Sequence, residues 1–233
     1  MRIIYSCFIL LSSFYSLAQE VKPEVKPLVK IDSLYREDQF YFSITYNMFT
    51  DIPQQFKQNK FSLGLSGGFL RDMPLNKNRN IAIATGLGLS YQNYFQNLTI
   101  SKDASGTIAY GVSDYGQFVS NRYRQYTVEL PIEFRWRNST FESYKFWRIY
   151  GGMKLSYIFS NTSILDDGIQ TFRINNNKDI NKFQYGPYIS AGYNTWNLYI
   201  YYGLSPLFKS AATVNGDKLS LKTLNAGLIF YIL

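Results

Sequence analysis

The run Tyr126-Thr127-Val128-Glu129-Leu130-Pro131-Ile132-Glu133-Phe134-Arg135-Trp136 places an apolar residue at every even position and a polar one at most odd positions. A second run follows, Trp147-Arg148-Ile149-Tyr150-Gly151-Gly152-Met153-Lys154-Leu155-Ser156-Tyr157, with its apolar residues at odd positions and Arg148, Lys154 and Ser156 on the other face. Alternation with a period of two marks a strand with two unlike faces. In a soluble sandwich the polar face would meet water. Here it carries Glu129, Glu133, Arg135, Arg148 and Lys154, and aromatic residues stand at both ends of the apolar face. An apolar exterior bounded by aromatics and a polar interior are the two faces of a transmembrane β-barrel. From Tyr126 to Trp136 the strand is about 33 Å long at the usual rise. Tilted by about 40°, it covers roughly 25 Å of height, the thickness of a barrel's lipid-facing band.

Antiparallel pairing of the two runs with Trp136 opposite Trp147 puts Arg135 opposite Arg148 and Glu129 opposite Lys154. Opposite charges directly across a ladder stabilise it. A slip of two residues preserves both faces, so the register is an expectation and the face assignment is the firmer reading.

The remaining sequence extends this pattern to eight strands, an all-β, antiparallel up-and-down transmembrane β-barrel. The first spans 40–48 with Phe40, Phe42, Ile44, Tyr46 and Met48 outward, and the second spans 61–70 with Phe61, Leu63, Leu65 and Phe69 outward. Arg71-Asp72-Met73-Pro74 reads as a turn. The third strand spans 81–95, with Ala82, Ala84, Gly86, Gly88 and Ser90 inward. A long polar loop over 97–122 precedes the two opening runs, and another over 160–182 follows them. The sixth strand spans 183–193. Asn194-Thr195-Trp196-Asn197 turns into a seventh that ends at Leu204, and the eighth spans 222–232. Long connections alternate with short ones, as they do between the outer and periplasmic sides of bacterial barrels. Trp136, Trp147 and Trp196 all fall beside the short turns and predict a periplasmic aromatic girdle. Pro131 and Pro187 lie inside strands, where a missing N–H costs a ladder bond, and predict bulges.

Residues 1–18 have the makeup of an export signal: Arg2, an apolar stretch over 3–15, and Ser16-Leu17-Ala18, which predicts cleavage after Ala18. Residues 19–39 carry two Val-Lys-Pro repeats and read as a periplasmic lead-in, with the barrel over 40–233. Export and a barrel together imply the bacterial outer membrane. The single cysteine, Cys7, leaves with the signal, so the mature chain is expected to have no thiol chemistry. A formal charge of +8 could suit nucleic acid. The favoured partners are instead outer-membrane lipid and lipopolysaccharide, because Arg71, Lys77, Arg79, Arg137 and Lys145 gather near turns, beside membrane phosphates.

The inward faces suggest what fills the lumen. Strands two and three offer Gly, Ala and Ser, while strands six and seven offer Tyr188, Tyr199 and Tyr201 from the opposite wall. Large residues facing small ones close an eight-stranded barrel, which has room only for side chains. This disfavours a diffusion pore. The charge cluster Glu129, Glu133, Arg135, Arg148 and Lys154 reads as a buried ion-pair network. The chain has no histidine, which removes the usual imidazole base and the commonest zinc ligand. The expectation is therefore no enzyme, no cofactor and no metal. Asp166-Asp167-Gly168 and Asn175-Asn176-Asn177 have the oxygen chemistry of a calcium loop, but a solvated loop is the favoured reading.

Across 40–233 the chain resembles the small bacterial outer-membrane β-barrel proteins of the porin family, PorT-like type. The resemblance rests on the Leu17-Ala18-Gln19 junction, the alternating hairpins, Arg71-Asp72-Met73-Pro74, the run Lys145-Phe146-Trp147-Arg148-Ile149-Tyr150-Gly151-Gly152, and a C-terminal strand ending Gly227-Leu228-Ile229-Phe230-Tyr231-Ile232-Leu233. It brings no active-site residues with it. The filled lumen favours a binding, structural or assembly protein that works through its loops or periplasmic face with a secretion or envelope protein partner. The alternatives are an accessory role in type IX secretion, which the PorT-like resemblance implies, and a narrow porin-like channel.

Overall fold

The computed structural model describes residues 38–58, 60–102, 106–114, 116–138, 146–210, 212–214 and 216–232. The export segment, its cleavage point and most of the lead-in lie outside the described residues. Thirteen strands follow in order: β1 (Gln39–Thr50), β2 (Leu63–Pro74), β3 (Ile81–Phe95), β4 (Leu98–Lys102), β5 (Ile108–Val112), β6 (Ser120–Arg137), β7 (Trp147–Asp166), β8 (Thr171–Asn175), β9 (Phe183–Tyr193), β10 (Trp196–Tyr202), β11 (Thr213–Val214), β12 (Asp217–Lys218) and β13 (Lys222–Ile232). No helix occurs among the described residues.

Eight of these strands close into an antiparallel barrel in the order β6-β3-β2-β1-β13-β10-β9-β7, with β7 pairing back to β6. This is the predicted fold class, in which every strand hydrogen-bonds two neighbours and no barrel edge is left open. The ends of the strands joined by β2–β3, β6–β7 and β9–β10, the start of β1 and the end of β13 share one end, here called the turn end. The long connections share the other, the loop end.

Alternation sorts the faces as read from sequence. On β6, Tyr126, Val128, Leu130, Ile132, Phe134 and Trp136 are exposed while Thr127, Glu129, Glu133 and Arg135 are buried. In a protein whose outer surface meets hydrocarbon, a charge at Leu130 faces the least polar medium. Leu130→Arg is expected to destabilise the barrel by about 2–4 kcal/mol, as charges near the bilayer midplane do. Thr127→Ser, which keeps the hydroxyl that meets Ser90 Oγ at 2.5 Å, should be near neutral. Urea titration of both variants in lipid vesicles checks the assignment, and equal effects would refute it.

The structure corrects several local expectations. β6 and β7 pair two residues away from the expected register: Trp136 faces Ile149, Glu129 faces Ser156, Pro131 faces Lys154, and Arg137 faces Arg148. Neither proline makes a bulge. Opposite Pro131 the β3–β6 ladder skips between Thr85↔Ile132 and Gly88↔Glu129, so the missing N–H falls in a gap. There Thr85 Oγ1 donates to the Pro131 carbonyl at 3.1 Å. Pro187 lies just past the last β9–β10 pair, Tyr201↔Tyr188, where no ladder bond is demanded. The β6–β7 irregularity lies instead at Tyr126/Thr127.

Arg71-Asp72-Met73-Pro74 is the last turnward part of β2, with Asp72 buried, and no turn. The supposed loops are also structured. β4 and β5 form a hairpin, and β8 extends β7 beyond the barrel. Leu98 and Ile100 of β4 join Phe49, Tyr94 and Tyr123 of the barrel strands and Ile180 and Phe208 of the connections in an apolar cluster at the loop end. Asp166 and Asp167 serve the β7–β8 turn: Asp166 Oδ1 accepts from Gly168 N, and Asp167 Oδ1 accepts from Ile169 N and Gln170 N. Those backbone donors hold the Asp167 carboxyl below its ordinary range.

Candidate functional site

The lumen is the part of the molecule where chemistry concentrates, and it is layered. At the turn end the centre is Asp72 on β2. Arg137 on β6 grips it with two bonds, Nη1 to Oδ1 at 2.9 Å and Nη2 to Oδ2 at 2.8 Å. Arg135 Nη1 reaches the same Oδ1 at 3.0 Å, and its Nε donates to Glu133 Oε2 at 2.7 Å. The Tyr188 hydroxyl donates to Glu133 Oε1 at 2.8 Å. Forked guanidinium–carboxylate contacts are among the strongest polar contacts available. Asp72, Arg135 and Arg137 are at most 1% exposed, so the network sits in protein and not in water.

β3 separates β2 from β6, yet their side chains meet across it. Ala84 stands opposite both Asp72 and Glu133, and Ala82 stands opposite Arg135. Both alanines are fully buried. Their small side chains leave the passage through which the arginines cross. Arg137 and Arg148 are direct ladder partners of like charge. The pair is tolerated because Arg137 turns to Asp72 while Arg148 stacks 4.5 Å from the Phe146 ring, a cation–π contact.

The middle layer pairs Lys154 with Glu129, Nζ to Oε1 at 3.1 Å, across a diagonal of the ladder. Lys154 also donates to the Tyr199 hydroxyl at 3.0 Å and lies 4.5 Å from the centre of the Tyr201 ring. Tyr188, Tyr199 and Tyr201 are all buried. Tyr41 on β1 completes this wall. A Cβ at Gly88 would fall on its hydroxyl and one at Gly68 on its ring, so those two positions need glycine for Tyr41 to lie flat. Above, Gln92 Oε1 accepts from Tyr94 Oη at 2.7 Å and from Gln125 Nε2 at 2.8 Å. The apolar cluster then covers the loop end. Packed against it, Tyr110 donates to Asp179 Oδ2 at 2.8 Å, and burial keeps that phenol protonated well beyond its ordinary range.

Voids along the lumen are about 10 Å³ each, one lined by Tyr41, Glu129, Lys154 and Tyr199 and another by Gln92, Gln125 and Lys154. Each has room for about one water molecule.

Glu129, Glu133, Arg135, Arg148 and Lys154 thus all point into the lumen, but they form two networks and not one, with Arg148 held by aromatic rings. Trp136, Trp147 and Trp196 are exposed at the turn end, where Trp147 packs on Tyr193 and Trp196 on Phe230. Sequence reasoning missed Asp72, whose position continues the inward parity of Ser62, Gly64, Ser66 and Gly68. It also placed Arg137 and Arg79 beside lipid phosphates. Arg137 is fully buried, and its Nε donates to the carbonyl of the buried Arg79. Lys145 lies outside the described residues. Among the described residues no group of three or more acidic or sulfur ligands is placed to hold a metal ion.

The sequence matches the family model described as outer membrane protein beta-barrel domain over residues 18–209. No curated protein matches it. Solved structures that are similar include Ail, the attachment invasion locus protein of Yersinia pestis, at 12% identity and a TM-score of 0.32, covering 83% of this chain and 99% of that one.

Proposed function

The chain belongs to the outer membrane protein beta-barrel domain family, and from that premise we propose that it is a non-enzymatic barrel of the bacterial outer membrane that works through its two ends. The observation that carries this reading is the lumen. Ion pairs bridge its turn end, tyrosines fill its middle and an apolar cluster covers its loop end. A barrel filled in this way has only its end surfaces and its lipid-facing wall with which to act. The turn end faces the periplasm in this reading, and the loop end faces outward. The hairpins β4–β5 and β7–β8 offer an ordered outer surface, which suits binding or assembly with an envelope protein. The secretion role implied by the PorT-like resemblance enters as one identity for that partner.

The test has two parts. In planar bilayers the purified barrel should give no large, steady conductance. A pull-down from native outer membranes should retain a defined envelope protein. Steady conductance from the unmodified barrel would overturn this reading in favour of a channel.

A further inference from the structure

The loop end carries a group of cations that the lumen networks do not use. Arg122 and Arg124 lie on the outward face of β6, and Lys60 lies just before β2. Phe95 ties them together. It stands directly opposite Arg122 in the β3–β6 ladder, and Lys60 Nζ lies 6.0 Å from the centre of its ring while donating to the Val119 carbonyl at 3.1 Å. Asn93 stands opposite Arg124. Arg122 Nε and Asn93 Oδ1 are buried without a hydrogen-bond partner. Among the described residues none of the three cations is paired with an acid. The nearest carboxylate in register is Asp166, diagonal to Arg122, and its Oδ1 is engaged by Gly168 N.

Position decides what such a group can meet. Tyr91, Tyr126 and Phe159 form an aromatic belt immediately below, with ring centres 5.1 and 6.2 Å apart. Aromatic belts lie at the membrane–water interface. Arg124 and Arg122 are two and four residues beyond Tyr126 along β6. With the usual rise and a tilt of about 40°, that is roughly 5 and 10 Å above the belt. Headgroup phosphates occupy this height. Guanidinium groups bind phosphate oxygens in forked pairs, and an ammonium adds a mobile point charge. The apolar wall below would take the acyl chains of the same molecule, which a soluble anion lacks.

We propose that Lys60, Arg122 and Arg124, with Phe95 between them, form a site for the phosphorylated headgroup of an outer-leaflet lipid. The site rests on the membrane-spanning reading of the barrel.

The test uses the full chain refolded into neutral phosphatidylcholine vesicles. Retention of bisphosphorylated lipid A, dephosphorylated lipid A and inorganic phosphate is compared by native mass spectrometry after extraction. Bisphosphorylated lipid A should bind at least about tenfold more tightly than the dephosphorylated form. The triple variant K60Q/R122Q/R124Q should lose that preference while keeping its heat-dependent band shift in detergent, which reports an intact barrel. Equal retention by parent and triple variant, or of the two lipids, would overturn the site. Displacement of the lipid by inorganic phosphate alone would overturn the assignment to a lipid. A parent chain that shows no band shift and does not stay with the vesicles would overturn the membrane reading and the site with it.

Discussion

Replacing Asp72 by alanine is expected to cost the barrel about 3–5 kcal/mol, the penalty for stranding buried charge when one partner of a buried pair is removed. Two guanidiniums depend on this carboxylate. Arg137 forks onto both oxygens and Arg135 shares Oδ1. Neither is exposed to solvent, so water cannot take over the lost bonds without opening the wall. Arg135 retains Glu133, and Arg137 retains the Arg79 carbonyl, so the structure need not collapse at once. Asp72→Asn keeps an acceptor but not the charge, and its loss should be intermediate. Urea titrations of the barrel in phospholipid vesicles, followed by tryptophan fluorescence and by the heat-dependent band shift, give the two differences. A loss below about 1 kcal/mol for Asp72→Ala, the range of a solvated surface pair, would show that the turn end is wet.

Why Asp72 escaped the sequence reading has a physical explanation that extends to the other misreadings. Alternation is sharpest where one face meets hydrocarbon and the other meets side chains, because only there do both faces have compositional demands. Residues 126–136 and 147–157 lie in that band, and their faces were legible. At the strand ends the outward face becomes polar. Arg71 at the end of β2 and Arg122 and Arg124 at the start of β6 therefore look like loop residues, although the ladder continues through them. On β7 a further effect intervenes. The irregularity opposite Tyr126/Thr127 shifts the parity, so Ile158 is buried at an even position and Asn161 at an odd one. A pattern read with a fixed period of two ends there, while the strand runs on to Asp166. The lumen charges were legible as inward residues for the same reason that Leu130 was legible as outward. Of their partners the Glu129–Lys154 pair was legible, although it forms along a diagonal and not directly across the ladder. The partners of Glu133, Arg135 and Arg148 were not, because side-chain contacts run along diagonals and across strands, and depend on the register and on the size of intervening residues such as Ala82 and Ala84.

In the middle layer the expected result is a reversal of the usual order of damage: Lys154→Met alone should destabilise the barrel more than the double change Glu129→Gln with Lys154→Met. Lys154 and Glu129 are both buried, and Nζ to Oε1 is 3.1 Å. Removing the ammonium leaves the Glu129 carboxylate facing a wall of tyrosines and voids that hold about one water each. Breaking a buried pair from one side costs about 3–5 kcal/mol, whereas removing both charges is often close to neutral. The double variant still loses the bond from Lys154 to the Tyr199 hydroxyl, so some destabilisation remains. That residual is about 1–3 kcal/mol if the hydroxyl is left without a partner. The full cycle needs Glu129→Gln as well, which strands the ammonium but leaves it the faces of Tyr201 and Tyr199 as a partial substitute. Glu129→Gln should therefore be milder than Lys154→Met. Because the two residues touch, the single effects should not add, and the coupling energy from four urea titrations in vesicles measures the pair. Additive losses, or a double variant worse than either single one, would mean that the two charges do not rely on each other and that the lumen at this level is solvated.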